Sequence, residues 1–130
     1  MEKNLIQKVK SVFENYPAVK LAYVFGSQVR GKIGPMSDYD FAVYLNEFDK
    51  KKIFEIKLEL LNKLSQVLAT DKVDLVILNT AQSPELKYNI IKEGKLIFER
   101  EPFKVLVEPK ILNEYFDFYT QLLKYGLTHS

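Results

Sequence analysis

Apolar positions recur in two rhythms along this chain. Leu5, Ile6, Val9, Val12 and Phe13 return at helical spacing, so residues 2–15 are predicted as an amphipathic helix that Pro17 stops. The run Val19 to Phe25 is short, β-rich and apolar, and Gly26 breaks it, which predicts a buried strand. Residues 39–45, YDFAVYL, form a second strand. Its alternation puts Phe41, Val43 and Leu45 on one face, with Asp38, Asp40, Ala42 and Tyr44 on the other. Asp49 is placed to cap a long helix over 50–69, striped by Ile53, Ile56, Leu60, Leu64 and Val67, with Leu61 and Leu68 beside them. Its opening lysines, Lys50 to Lys52, are read as a solvated first turn rather than a phosphate patch. Residues 72–78 are a third strand. Ser83 then caps a helix with Pro84 at its first position, running to about Glu93, where Gly94 ends it. Residues 95–99 are a fourth strand. After the polar turn Arg100-Glu101-Pro102, a last helix is predicted over 109–125.

That last helix carries more apolar surface than one-sided packing needs. One stripe is Ile111, Tyr115, Phe118, Leu122 and Tyr125. The other is Leu112, Phe116, Tyr119 and Leu123. It is either a docking helix or one that crosses a small domain and is buried on both sides. The order helix, strand, strand, helix, strand, helix, strand, helix predicts an α/β chain of α+β character: a small mixed sheet with helices packed against it.

Composition narrows the chemistry. The 130 residues suit one domain spanning 1–130, with 47% hydrophobic and 28% charged residues. No cysteine is present, which removes thiolate nucleophiles, disulfides and zinc–thiolate sites. The single histidine is His129, near the end of the sequence, a poor place for a Ser-His or Cys-His system. A net charge of +2 does not suggest nucleic acid held by bulk electrostatics, so no nucleic-acid partner is expected. No apolar run approaches the roughly 20 residues of a membrane span. The N-terminus lacks the apolar stretch of a signal peptide, so a cytoplasmic location is expected. The oligomeric state stays open.

The segment Tyr23 to Leu45, YVFGSQVRGKIGPMSDYDFAVYL, admits two phosphate-site readings. Gly26, Gly31 and Lys32 match most of a P-loop that follows a strand. Ile33, however, stands where the magnesium-binding hydroxyl belongs. Gly34-Pro35 also blocks the helix whose N-terminus would hold phosphate. The carboxylate reading fares better. Asp38 and Asp40 are two apart on a strand, so they share a face about 6.6–6.8 Å apart along the backbone. They offer hard oxygen ligands suited to magnesium. Asp74, set among Val73, Leu75, Val76, Ile77 and Leu78, reads as an acid in a core-like strand, where an unpaired charge is costly. If that strand lies beside 39–45, three carboxylates meet, and a pair of metal ions there could support displacement at phosphorus. Gly26 permits a sharp turn and a close ligand approach. Ser27 supplies a hydroxyl and an N–H, with a short helix to follow, and Arg30 can pair with phosphate oxygens.

Gly26-Ser27, ten residues, then Asp38-Tyr39-Asp40 resembles the signature of the DNA polymerase β-like nucleotidyltransferases. The string GSQVRGKIGPMSDYD resembles their minimal nucleotidyltransferase (MNT) members, often the antitoxin halves of HEPN–MNT toxin–antitoxin pairs. The resemblance implies the nucleotidyltransferase fold. It implies Asp38, Asp40 and Asp74 as ligands of Mg2+, two ions in number, with Asp74 also the general base. It implies nucleotide binding by Gly26, Ser27 and Arg30, and we place Ser37, next to the acid pair, in that set. The implied reaction moves AMP from ATP to a hydroxyl, for an antitoxin a tyrosine of a HEPN ribonuclease toxin. Two other readings stay open: neutralisation of the partner by binding alone, or transfer to a small-molecule hydroxyl.

Overall fold

The computed structural model describes residues 3–26 and 38–126. Its elements, in chain order, are α1 (Lys3–Glu14), β1 (Val19–Phe25), β2 (Tyr39–Leu45), α2 (Lys50–Leu68), β3 (Val73–Ile77), α3 (Pro84–Glu93), β4 (Lys95–Glu99) and α4 (Phe103–Lys124). The four strands form one sheet in the order β3-β2-β1-β4. β1 runs antiparallel to both β2 and β4, and β2 runs parallel to β3, so the sheet is mixed. No described helix is long and apolar enough to cross a membrane.

Helices cover both faces. On one side, Val9, Val12 and Phe13 of α1 and Ile53, Leu60, Leu64 and Leu68 of α2 pack on Phe41, Val43 and Leu45 of β2 and on Leu75 and Ile77 of β3. On the other side, Ile90 of α3 and Val107 and Ile111 of α4 pack on Leu21, Tyr23 and Ala42. The period-2 alternation of β2 therefore divides between two cores, as the sequence pattern requires. Val19 breaks the alternation of β1 by joining the α1/α2 side. The register shifts between Val19 and Leu21, which turns the strand over at that point.

The caps follow local chemistry. The Asp49 carboxylate accepts from Lys51 N at 3.0 Å and starts α2. The Ser83 hydroxyl oxygen accepts from Leu86 N at 3.2 Å and starts α3, with Pro84 at its first position. Gly94 ends α3 with an ordinary negative φ of −73°, so left-handed backbone is not its reason for being glycine. A Cβ there would run into Ile90 O and crowd Val24 O.

Two expectations need correction. The last helix begins at Phe103, not at 109, and Pro109 lies inside it. Proline at a first helical position is common, which made Pro109 look like a start. Here it removes a bond to the Val105 carbonyl on an exposed face, where water can replace it. The two stripes of this helix also part company. Ile111 is buried and Tyr115, Phe118 and Leu122 are half-buried, with Tyr125 exposed at the end of that stripe, whereas Phe116, Tyr119 and Leu123 are exposed and Leu112 alone of their stripe is half-buried. The helix is therefore not buried on both sides.

The first half of α4 is fixed to the body by two polar ties. Tyr23 Oη donates to Glu108 Oε2 at 2.6 Å. Lys87 of α3, itself buried, donates to both carboxylate oxygens of Glu114 at 2.8 and 2.9 Å. Tyr88 and Tyr115 stack beside this pair at a centroid distance of 3.9 Å.

Candidate active site

β1 ends at Phe25, which pairs across the ladder with Asp40. Gly26 follows with φ +76°, the left-handed region that glycine enters without steric cost. A Cβ on Gly26 would overlap Asp40 Oδ2. The turn thus brings bare backbone against the carboxylate. On the other side of β2, Asp40 is the register partner of Asp74 in β3. Asp38 precedes Asp40 by two residues and so shares its side of the strand. The three acids lie on the α3/α4 side of the sheet, at the beginnings of two parallel strands.

Their electrostatics agree with that arrangement. Asp40 is half-buried, and its carboxyl is held above the usual carboxylate range. Burial is the largest cause, followed by the negative charges of Asp74 and then Asp38. Asp38 and Asp74 are exposed. The expectation that Asp74 is embedded in the core is therefore corrected. β3 is an edge strand, and Asp74 is its second residue; Leu75 and Ile77 are buried, Val73 and Val76 are half-buried against the two cores, and Asp74 is the strand's exposed residue. Asp74 Oδ1 accepts from Leu75 N at 2.9 Å, which turns the carboxylate back along its own chain. Among the described residues, no three acidic or imidazole side chains stand together as a ready-made metal cage.

The donor set nevertheless suits magnesium. All three groups are hard carboxylate oxygens, and the repulsion felt at Asp40 is what a bound divalent cation relieves. Ser27, Arg30 and Ser37, assigned to the nucleotide, lie outside the described residues, as do the short helix expected after Ser27, Lys32 of the P-loop reading, and His129.

The sequence reading missed a groove of about 770 Å3 that begins at Asp74 and runs between β3 and α2. Lys50, Phe54 and Lys57 line its helix side. Phe54 falls off the apolar stripe of α2 and is 59% exposed, and that off-stripe aromatic was the available signal.

This mixed four-stranded sheet, covered by helices on both faces, is a nucleotidyltransferase fold. The chain belongs to the polymerase beta nucleotidyltransferase family, which matches residues 7–103. It is 34% identical over 98 residues, 74% of this chain and 92% of the relative, to a Methanocaldococcus jannaschii protein named "Putative protein adenylyltransferase". Among solved structures it is similar to a chain of a toxin–antitoxin crystal structure with AMP-PNP (TM-score 0.74, 28% identity, 96% of this chain and 95% of that one). It is also similar to a chain of the complex of tri-AMPylated Shewanella oneidensis HEPN toxin with MNT antitoxin (TM-score 0.72, 25% identity, 96% and 95%).

Proposed function

We propose that this chain is an adenylyltransferase antitoxin that moves AMP from ATP to a tyrosine hydroxyl of a HEPN toxin in the cytoplasm. The observation that carries the reading is the register pairing of Asp40 with Asp74, with Gly26 closed against Asp40 from the other side. The relative named as a protein adenylyltransferase and the similar antitoxin bound to an AMPylated toxin support it.

In this mechanism Gly26 and Ser27 hold the triphosphate, and Arg30 and Ser37 share its charge. Asp38, Asp40 and Asp74 would hold magnesium, which supplies positive charge to offset the triphosphate and the leaving pyrophosphate. A tyrosine hydroxyl, with an ordinary pKa near 10, needs a base at neutral pH. Asp74 takes its proton. The phenolic oxygen forms a bond to the α-phosphorus while the bond from that phosphorus to the bridging oxygen of the β-phosphate breaks. Pyrophosphate departs with the electron pair of the broken bond, and the tyrosine keeps AMP.

The test is incubation with the partner toxin, ATP and magnesium, read by intact-protein mass. Wild type should add AMP to a partner tyrosine, and Asp38→Ala with Asp40→Ala should not. Transfer at full rate by the double variant would place the chemistry elsewhere.

A second reading rests on the exposed apolar stripe of α4 at Phe116, Tyr119 and Leu123. In it, this stripe grips the toxin and contact alone neutralises it. A catalytically dead double variant that still protects cells as well as wild type would decide for contact.

A further inference from the structure

β3 is one of the two edge strands of the sheet among the described residues, and its hydrogen-bonding parity can be read from its bonds. Tyr39 N donates to Lys72 O, and Leu78 N donates to Val43 O. In a parallel ladder the residues that bond to one neighbour alternate along the strand. Lys72, Asp74, Val76 and Leu78 therefore turn their peptide groups to β2, and Leu75 and Ile77 turn theirs outward. Ile77 O accepts from Thr80 N and Ala81 N and is used. The Leu75 carbonyl and the Ile77 N–H have no partner among the described residues. The outward Leu75 N–H is occupied only by the Asp74 side chain.

The wall facing this edge is basic and partly aromatic. Lys50, Phe54 and Lys57 of α2 line the groove, and among the described residues Asp74 is the one acid that lines it. At the start of α2 the Asp49 carboxylate already occupies the helix N-terminus through Lys51 N, so the preference for anions rests on the Lys50 and Lys57 side chains that line the groove.

We propose that the free edge of β3, walled by α2, seats the acceptor as an extended acidic segment that carries the tyrosine, added to the sheet as a further strand. This rests on the adenylyltransferase reading and names the form in which the acceptor arrives. Main-chain bonds to Leu75 and Ile77 supply the affinity common to strand addition. Lys50 and Lys57 select acidic flanks, and Phe54 offers an apolar contact. An incoming carbonyl takes the Leu75 N–H from Asp74. The Asp74 carboxylate is then released from its own chain, beside its register partner Asp40. Docking and release of the Asp74 carboxylate are one event.

The probes are two synthetic peptides of about ten residues, enough to span an ordinary strand. Each has one tyrosine, flanked by glutamates in one peptide and by lysines in the other. Binding to the full chain is read by fluorescence anisotropy, AMP transfer by peptide mass, and backbone protection by hydrogen exchange. The glutamate peptide should bind wild type at least about tenfold more tightly, one decade in the equilibrium constant. Lys50→Glu with Lys57→Glu should reverse the preference while still melting cooperatively. The bound peptide should slow exchange at Leu75 and Ile77. Equal binding of both peptides, a preference unmoved by the double variant, or protection confined to another element would each overturn the proposal. Binding with that preference but no transfer would keep the docking edge and count against the proposed activity. Transfer to the partner toxin with no peptide bound at the edge would do the reverse.

Discussion

Gly26 and Asp40 share one small space: the glycine's left-handed backbone leaves its missing Cβ position filled by the aspartate's Oδ2. Gly26→Ala should therefore fail twice. Left-handed backbone costs a non-glycine residue about 1–2 kcal/mol, and the methyl group must also displace the carboxylate. A lower melting temperature together with loss of AMP transfer is expected. Unchanged transfer would show that the Asp40 position does not matter to the reaction.

Asp40 gives a pH signature. Its carboxyl is raised above the ordinary 3.8 by burial, and then by Asp74 and Asp38. The folded state thus holds its proton more tightly than the unfolded state does. That favours folding at low pH, and stability declines as pH rises from about 3.8 through the higher folded value. Asp40→Asn removes the decline. With chelator present, the variant should melt higher than wild type at pH 7, and the advantage should shrink as pH falls towards 3.8. Melting curves across that range check it, and a pH-independent difference would point to packing instead.

Tyr23 is almost fully buried, and burial, then its bond to Glu108, pushes its hydroxyl far above the ordinary phenol range. Tyr23→Phe keeps the ring and removes the bond. A hydrogen bond to a charged group contributes about 1.5–3 kcal/mol, so the variant should lose roughly that in urea denaturation. A change below about 0.5 kcal/mol, the usual range of surface substitutions, would mean that water replaces the bond.

Phe116, Tyr119 and Leu123 are expected to matter for binding and not for folding. Serine at all three should leave the chain folded and cost no more than the ring contacts of Phe116 and Tyr119 with Tyr88 and Tyr115, about 0.5–1.5 kcal/mol for each aromatic pair. If the stripe docks the toxin, co-purification with it should be lost. Retained co-purification would exclude this face as the docking surface.

Most elements could be read from local chemistry. The short apolar runs of β1, β2 and β4 end where polar or glycine residues interrupt them, and Asp49 and Ser83 cap where their side-chain oxygens predict. The start of α4 was misread because Pro109 satisfies a local rule that an exposed, hydrated helix face allows the chain to ignore. The common face of Asp38 and Asp40 follows from alternation alone. The exposure of Asp74 does not, because it depends on β3 being the edge strand, which is a property of strand order. The capture of the Asp74 carboxylate by Leu75 N was also beyond pattern reading, since it depends on which peptide groups face outward.

α4 has 22 residues, about 33 Å of helix. Its inner portion is bound to the sheet through Val107, Ile111 and the Glu108 and Glu114 ties, and its outer portion carries the exposed stripe. It therefore behaves as a ruler fixed at one end to the strands that carry the acids. A partner gripping the free end is held at a set offset from Asp40 and Asp74. The length of that offset then limits which hydroxyls on the partner come within reach of the acids at all, before the sequence around any one of them is read.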